Sequence, residues 1–305
     1  MNIKSALSLS LLSLAVPLAG CGEQPYSIGV SSNLLSQNTP GPGITIGDPS
    51  SPTETPTGTS SSNATILVLD GSGSKALTMT GNASLTVGSG SIVVNSSAAD
   101  ALDLTGNVQI KASAIDLTGG YQATSGVAVP AGIRTGVKPT ADPLASLATP
   151  ATTGMKVIAG AQVNAQSGIH LKPGHYTSSV SISGGADVVL DPGTYVLDAG
   201  IKVSGGSTVT ADGVLLYIAG GDVDFSGDSS GSLSPASSGP YSGITIFQAR
   251  SNSAQSSLSG NTSWKLQGTY YFPAGEVTLT GGSSVAQQLQ LIVYDLTLTG
   301  NAAGI

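Results

Sequence analysis

The chain has 305 residues, only 9% of which are charged, and a formal net charge of −7. This acidic balance argues against nucleic acid as a partner and against adhesion to anionic lipid through charge, because both need a basic surface. Cysteine occurs once, which excludes an internal disulfide, so the fold must depend on burial and backbone pairing.

The first twenty residues have the organisation of a secretory signal peptide. Lys4 supplies a short positive region, and the apolar run at residues 6–18 is too short to span a bilayer. The run ends in four residues that resemble the lipobox of bacterial lipoproteins, where the peptide is cut and the cysteine acylated: Leu18, Ala19, Gly20 and Cys21. The alternative is an ordinary secretory signal followed by a chance cysteine.

An acylated Cys21 predicts a protein that is held at a membrane by lipid. Each buried methylene of an acyl chain contributes about 0.8 kcal/mol, so several chains anchor firmly. By resemblance to sorted lipoproteins, a residue other than aspartate after the cysteine, here Gly22, favours the outer membrane. We therefore expect an envelope protein, an outer-membrane lipoprotein that is periplasmic or surface-exposed.

Residues 21–62 are predicted to form a flexible tether after the lipidated cysteine. They contain many of the prolines of the chain and few apolar residues, so they cannot bury enough surface to fold. A coil of this length has a root-mean-square reach of roughly 35 Å. Such a tether would hold a folded domain clear of the membrane.

Residues 63–305 are built of repeats. Ala76–Asn82 returns as Ala101–Asn107 after 25 positions, and Leu171–Tyr176 returns as Leu190–Tyr195 after 19 positions. Similar Leu-(Ser/Thr)-Gly-(Asn/Gly) steps follow one another near the end of the chain, at 258–261, 279–282 and 298–301. A repeat of this length predicts a solenoid.

Each repeat contains two or three short runs that alternate apolar and polar residues, separated by glycine-rich pairs, which predicts strands and tight corners. Leu77 and Met79 would point inward, and Thr78 and Thr80 outward. The frames of leucine-rich and hexapeptide repeats are absent. The expected fold is all-β, a right-handed parallel β-helix of about ten coils, roughly 50 Å long.

Two features interrupt this regularity. Residues 127–153 are rich in proline and alanine and are expected to form a loop or wrapping arm, with one short helical turn near Leu144–Leu147. After residues 298–301 no cap is recognisable. We expect the last coil either to pair with something or to end raggedly, because an uncovered coil exposes strand edges.

Several segments together resemble the glycine-rich β-helical domain of TadG-like proteins, secreted bacterial proteins associated with tight-adherence (Flp) pili. The matching segments are Ala76–Asn82, Ala101–Asn107, Asp142–Leu147, Pro173–Tyr176, Pro192–Tyr195, Ser238–Gln248 and Gly268–Gly275. The resemblance covers the chain from about residue 65 and implies the β-helical fold and a link to pilus or biofilm assembly. TadG-like proteins usually carry a transmembrane helix and often cysteines in their coils, whereas this chain has a lipobox and no further cysteine.

A second similarity is to ice-binding β-solenoids. Four Thr-x-Thr steps occur, at 78–80, 208–210, 278–280 and 297–299. A flat ladder of such threonines can order water. The competing interpretation is that threonine is simply a favoured outward residue of strands.

Pectin-degrading enzymes share this fold, so catalysis must be considered. Their sites need converging carboxylates with a cation beside them. Arg134 and Arg250, the two arginines, do not lie beside acidic pairs, and no carboxylate neighbours His170 or His175 in the sequence. We therefore expect no catalytic residue and no cofactor.

The densest acidic stretch offers a weak Ca²⁺ candidate, formed by Asp222, Asp224 and Asp228. It imitates the start of an EF-hand loop, but Leu233 stands where the bidentate glutamate belongs. A solvated turn is the simpler interpretation, and no metal is expected.

One aromatic-rich patch, which contains Trp264, Tyr270 and Tyr271, could stack on sugars if it were exposed. Stacking inside the coil is the favoured interpretation, because Tyr270 and Tyr271 lead straight into a Pro-Ala-Gly corner. Taken together, the sequence predicts a lipid-anchored envelope protein with a non-enzymatic structural or adhesive role. Its partners would be envelope or pilus proteins or surface polysaccharide. The alternatives are a polysaccharide- or ice-binding solenoid and a polysaccharide lyase or hydrolase.

Overall fold

A computed structural model describes residues 64–124, 127, 132–259, 263–281 and 284–301. The signal peptide, Cys21 and the expected tether lie outside the described residues. The described part consists of strands and connections without an α-helix, so it contains no helix with the length and apolar character that crossing a membrane requires. The predicted all-β parallel solenoid of about ten coils is confirmed.

The strands, numbered in chain order, have these bounds: β1 Ala64–Val68, β2 Leu77–Gly81, β3 Ser84–Thr86, β4 Ser91–Val94, β5 Leu102–Gly106, β6 Gln109–Lys111, β7 Ala114–Leu117, β8 Tyr121–Ala123, β9 Ile133–Arg134, β10 Val157–Ile158, β11 Ala161–Asn164, β12 Ile169–Leu171, β13 Gly174–Tyr176, β14 Val180–Ser183, β15 Asp187–Leu190, β16 Gly193–Leu197, β17 Ile201–Val203, β18 Thr208–Ala211, β19 Val214–Ile218, β20 Val223–Phe225, β21 Ser230–Leu233, β22 Ile244–Gln248, β23 Ser256–Leu258, β24 Ser263–Thr280 and β25 Ser284–Thr299.

All pairings between these strands are parallel, and they form three faces. Face A runs in the order β10-β13-β16-β19-β22-β24-β25-β1-β4-β7-β9. Face B runs β11-β14-β17-β20-β23-β24-β25-β2-β5-β8. Face C runs β12-β15-β18-β21-β24-β25, and β3 and β6 form a separate pair. The long strands β24 and β25 contribute to all three faces.

The spatial order of the coils differs from their order in the chain. β25, near the end of the described chain, pairs with β1 on face A and with β2 on face B. The described part of the chain therefore begins in the middle of the rod at β1, adds coils toward β9, crosses to β10, and adds coils back until it meets its own first coil. One of the two expectations was that the last coil pairs with a partner. It does, and the partner is the first coil of the same chain, through β1 and β2.

The junction between β25 and β2 joins two nearly identical sequences. Residues 296–301 read Leu-Thr-Leu-Thr-Gly-Asn, and residues 77–82 read Leu-Thr-Met-Thr-Gly-Asn. They stack with Leu298 on Met79, and the Asn82 side-chain amide donates to the Asn301 amide oxygen at 3.1 Å. Repeats that are adjacent in space resemble each other in sequence. The similarity of residues 77–82 to 296–301 could therefore have indicated from the sequence that these two coils pair.

Glycines make the corner beside this junction possible. Gly81, Gly106 and Gly300 stack on one another with φ of 76°, 99° and 73°. A Cβ on Gly106 would stand 2.7 Å from the carbonyl oxygen of Gly81. The corner thus needs a residue that tolerates left-handed backbone and leaves room for the next coil.

Aliphatic columns fill the interior, as the alternating pattern predicts. Leu279, Leu298, Met79 and Leu104 follow one another in register, and each is almost completely buried. The intervening threonines 78 and 80 point outward and are partly exposed, as predicted. Repeated burial of this kind is the main source of stability available to a solenoid.

The proline-rich insertion is a wrapping arm, which we define as the strap, residues 135–156. It crosses the outer side of face A, where it buries Leu144 against a second apolar cluster that includes Leu215, Phe247 and Ile292. Residues 143–146 form a turn in which the Leu147 amide donates to the Leu144 carbonyl, rather than the expected helical turn. The strap explains why central strands of face A such as β4, β19 and β22 are buried on both sides.

Polar contacts hold the strap along its length. Asn95 and Thr140 exchange two hydrogen bonds of 2.8 Å. The Tyr271 hydroxyl donates to Asp142 at 2.6 Å, and burial is the main reason why the pKa of Tyr271 is raised. Arg250 donates to the Leu144 carbonyl while its guanidinium lies 5.2 Å from the centre of the Phe247 ring. These contacts link the strap to coils from both halves of the chain.

We expect Leu144→Ala to lower the free energy of unfolding by about 2–3 kcal/mol, because it leaves a cavity between strap and face A. Thermal unfolding followed by circular dichroism measures the change. Ser146→Ala, at an exposed position of the same turn, is the matched control and should stay within about 0.5 kcal/mol of the parent. Equal behaviour of the two variants would show that the strap does not support the fold.

Candidate functional site

The most regular polar surface of the described chain is a group of six threonines on face B, which we call the hydroxyl array. β24, β25 and β2 each contribute one Thr-x-Thr step, and the three steps stack in register. Its members are Thr278, Thr280, Thr297, Thr299, Thr78 and Thr80. Three of the four predicted Thr-x-Thr steps therefore meet on one face, whereas Thr208 and Thr210 lie on face C.

The array forms a grid of hydroxyl and methyl groups. Neighbouring coils are about 4.8 Å apart, and alternate residues of a strand are about 6.6 Å apart. Thr278 is bonded to Gln255 at 2.8 Å, and Thr78 donates to the Lys75 carbonyl at 3.0 Å. The other four hydroxyls have no hydrogen-bond partner within the described part of the chain. They point outward from a flat sheet and are available to a ligand.

The array exists only where the two halves of the chain meet. Thr78 and Thr80 come from the first coil, and the other four threonines come from the last two coils. A residue more than 200 positions away in the sequence thus completes the grid. Correct docking of β2 on β25 is a condition for the site.

Ion pairs border the hydroxyl array on both sides of face B. Toward the β10 end, Lys202 bonds the carboxylate of Asp224, and this contact raises the pKa of Lys202. Toward the β9 end, Lys75 lies 2.9 Å from the buried carboxylate of Asp103, which raises the pKa of Lys75. The uncharged grid is therefore confined to the centre of the face.

Three carboxylates meet next to the hydroxyl array and form what we call the acidic cluster: Asp70, Glu276 and Asp295. Glu276 and Asp295 are register partners on adjacent coils, and the Asp70 amide donates to the Tyr294 carbonyl at 3.1 Å. One carboxylate oxygen of Asp295 is buried without a hydrogen-bond partner in the described chain. Burial, and then the charges of Asp70 and Glu276, raise the pKa of Asp295 to about 7.

The acidic cluster meets only part of what an enzyme would need. Carboxylates with separated pKa values can act as acid and base. Arg250, the cation expected beside such a group, instead lies on face A against the strap. Among the described residues, no group of three or more metal-ligating side chains could hold an ion.

The aromatic patch is buried, as the favoured interpretation had it, and is not at the surface. Trp264, Tyr270 and Tyr271 are 1%, 4% and 0% exposed. Trp264 stacks inside the solenoid on Phe225, with ring centres 4.0 Å apart. Tyr271 lies under the strap. Trp264 and Tyr270 belong to the interior cluster and Tyr271 to the outer cluster, so none of the three rings can lie against a sugar.

The weak Ca²⁺ candidate is likewise dispersed by the solenoid geometry. Asp224 points out of face B toward Lys202, whereas Asp228 sits at a corner with φ of 62°. Asp222 is exposed and uses its carbonyl to accept from the Ile201 amide. Asp222 and Asp224 lie two positions apart, but Asp224 is held by Lys202 and Asp228 lies beyond the end of β20. Among the described residues, these carboxylates form no group that could hold an ion.

Both histidines have carboxylate partners that the local sequence does not show. His170 Nδ1 lies 2.7 Å from Asp191, and His175 Nε2 lies 2.8 Å from Asp198. The two aspartates follow their histidines by 21 and 23 positions, which is the length of one coil. The repeat length could therefore have predicted both pairs from the sequence. His170 and Lys172 together lower the pKa of Asp191. These are surface ladders between coils rather than a concave site.

Comparison of the chain with protein-family models, with characterised proteins and with solved structures finds no match.

We expect Asp295→Asn to raise the melting temperature above pH 7 and to have little effect near pH 4. The folded-state pKa of Asp295 exceeds its unfolded value, so the folded state binds the proton more tightly, and stability falls as pH rises from about 4 to about 7. Asp295 is partly exposed, which screens the effect, so we expect about 1 kcal/mol, or 2–4 °C, at pH 8.

Melting curves of parent and variant between pH 4 and pH 9 measure this difference. Asp187→Asn, at an exposed carboxylate of β15, is the control and should follow the parent at every pH. A constant offset between Asp295→Asn and the parent would contradict the assignment.

Proposed function

We propose that this chain is a lipid-anchored bacterial envelope protein with a non-enzymatic adhesive or structural role. The lipobox at Leu18–Cys21 and the tether composition support an anchored domain. The single observation that carries the adhesive role is the hydroxyl array, a flat grid of outward hydroxyls with four unpaired members.

The ligand chemistry that fits this grid best is an uncharged, hydroxyl-rich polysaccharide. Threonine hydroxyls donate to and accept from sugar hydroxyls, and the carboxylates of the acidic cluster add acceptors along one border. The net charge of the chain disfavours an anionic polymer. A flat site with repeated weak contacts gains affinity when a polymer occupies several positions at once.

Ordered water is a second candidate ligand, because the Thr-x-Thr steps stack in register over three coils. Such a grid places hydroxyls and methyls at regular intervals, as an ice surface would require. Glu276 and Asp295 on the border weigh against it, since charged groups hold their own hydration shells. Polysaccharide is therefore the first choice.

The resemblance to TadG-like proteins adds a role for the rod in pilus or biofilm assembly. In this setting, the envelope or pilus components would be the partners and the outer membrane the location. A contact role needs no catalytic group. We assign none, because the acidic cluster lacks a neighbouring arginine and the aromatic rings are buried.

We expect the double variant Thr297→Val, Thr299→Val to lose about tenfold in binding to neutral polysaccharide. Two outward hydroxyls are removed at constant shape, and each hydrogen bond contributes about 0.5–1.5 kcal/mol. Two measurements are made: the fraction of protein retained on insoluble cellulose, chitin and cross-linked dextran, and the thermal hysteresis of ice growth in a solution of the protein.

The matched control is Thr208→Val, Thr210→Val, which makes the same change on face C. It should retain parental binding. Thermal hysteresis that only the face B variant loses, without retention on any polysaccharide, would select ordered water. Equal behaviour of both double variants in every assay would reject the hydroxyl array as the binding surface.

Anchoring gives an independent prediction. Cys21→Ala should move the protein from the membrane fraction to the soluble fraction, because it removes the acylated residue. Fractionation of expressing cells and labelling with a fatty-acid analogue measure this. Continued membrane association of the variant would show that the lipid anchor is wrongly assigned, whatever face B binds.

A further inference from the structure

Two aromatic rings are exposed in the described part of the chain, although the predicted aromatic patch is buried. Tyr121 is 41% exposed and Tyr294 is 39% exposed. Tyr121 belongs to β8, which pairs with β5 on one edge and with no described strand on the other, so its exposure follows from its place in the last coil of face B. Tyr294 belongs to β25, in the middle of the rod, with a paired coil on either side. Its exposure is therefore not an effect of a chain end or a rod end.

Tyr294 is exposed because it lies at the corner between face A and face B. The inward residues that flank this corner are Val293 and Leu296, and both are completely buried. Tyr294 and Asp295 stand between them and lie outside the interior columns. On the neighbouring coil, residues 273–275 fill the interval opposite Tyr294 with proline, alanine and glycine, whose small side chains do not cover the ring.

A buried carboxylate holds the Tyr294 ring in place. The Tyr294 hydroxyl bonds to the carboxylate of Asp70, and the charge of Asp70 is the main reason why the pKa of Tyr294 is raised. Asp70 is itself buried and accepts hydrogen bonds of 2.9 Å from the backbone amides of Ser72 and Gly73. The ring is therefore fixed before a ligand arrives, which lowers the entropy cost of binding.

Polar groups follow the ring along the same strand. Asp295 is the next residue, and its register partner Glu276 stands beside it on β24. Thr297 and Thr299 of the hydroxyl array lie three and five residues after Tyr294, roughly 10 and 17 Å along an extended strand. An exposed ring, two carboxylates and two hydroxyls thus form one continuous line across the rod.

A pyranose ring with equatorial hydroxyls matches this line in its chemistry. Such a sugar has an apolar face of C–H groups and a polar rim of hydroxyls. The apolar face packs on an aromatic ring, which keeps its polar end wet, as the Tyr294 hydroxyl is kept at Asp70. The hydroxyls of the rim donate to carboxylates in charge-assisted hydrogen bonds, and exchange hydrogen bonds with threonine.

The surrounding charges fix the direction of an uncharged polymer. Along the rod axis, the ion pairs of Lys202 and Lys75 close the hydroxyl array on both sides. A polymer parallel to the axis would cover these ion pairs and remove water from them, which costs free energy. A polymer that follows β25 avoids both pairs.

We propose that Tyr294 is the stacking residue for one sugar of an uncharged polysaccharide, and that the chain of sugars follows β25 across the rod to Thr297 and Thr299. This inference rests on the proposed polysaccharide-binding function and names the contact that orients the polymer at that site. The ligands that it favours are extended polymers with flat sugar faces, such as cellulose and chitin, over the flexible chain of dextran.

The first test compares variants in binding isotherms on insoluble cellulose and chitin. Tyr294→Ala should bind about tenfold more weakly, because the apolar contact and the stacking are lost together. Tyr294→Phe keeps the ring and should stay within about threefold of the parent. Tyr121→Ala, which removes an equally exposed ring at the end of the same face, is the matched control and should bind like the parent.

The outcomes of this test separate the stacking residue from the proposed function. Parental binding by Tyr294→Ala, while Thr297→Val, Thr299→Val still loses affinity, would overturn the role of Tyr294 and leave the proposed function intact. An equal loss in Tyr294→Phe and Tyr294→Ala would also overturn it, because the hydroxyl rather than the ring would then be the contact. Failure of the parent to bind any polysaccharide would overturn both.

A second measurement uses the parent chain and needs no variant. Hydroxyl-radical footprinting with mass spectrometry reports the oxidation rates of Tyr294 and Tyr121 with and without soluble cellohexaose or chitohexaose. At least one of these hexasaccharides should slow the oxidation of Tyr294 about threefold or more relative to Tyr121, because a bound sugar covers the ring. Equal rates for the two tyrosines with both sugars would contradict the proposal.

Discussion

The pairing of β25 with β1 and β2 is the constraint on which the rest of the structure depends. It joins the first coil to the last, so the aliphatic columns run without a break through coils made from opposite parts of the chain. Without it, two shorter stacks would each expose an additional strand edge and an apolar end. The strap reinforces the same junction from outside, since it contacts Asn95 in the first half and Tyr271 in the second.

The hydroxyl array and the acidic cluster both lie at this junction. Thr78 meets Thr297 there, and Asp70 comes close to Asp295, so both the hydroxyl array and the acidic cluster are composites of distant segments. Elsewhere on face B, ion pairs such as Lys202 with Asp224 occupy the outward positions. The functional proposal therefore depends on a property of the folded chain that no single repeat possesses.

Much of the fold could be predicted from the sequence because each coil repeats the same alternation. The inward places of Leu77 and Met79, the outward places of Thr78 and Thr80, and the wrapping arm were all recognisable from local pattern. The order of the coils was not, because every repeat can pair with every other. The similarity of residues 77–82 to 296–301 shows the true neighbours only once pairing across the chain is considered.

The site was harder to predict for the same reason. The local sequence offered an aromatic patch and three aspartates, but inward orientation buries Trp264, while Asp224 is held by Lys202 and Asp228 lies at the next corner. The carboxylates that do converge come from three separate strands or corners. Likewise, Asp191 reaches His170 only because one coil separates them. In a solenoid, neighbours in space stand about one repeat apart, and local motifs say little about them.

The entry of the chain at β1, in the middle of the rod, has a mechanical consequence. A solenoid pulled by an end coil can unravel one coil at a time, each step breaking a single ladder. Tension carried by the residues before Ala64 instead reaches a strand that is paired on both edges, with β25 and with β4. Two ladders must yield before the first coil is released. A domain pulled through the residues directly before β1 thus resists forced unfolding more than one pulled through an end coil, and it needs no additional bonds to do so.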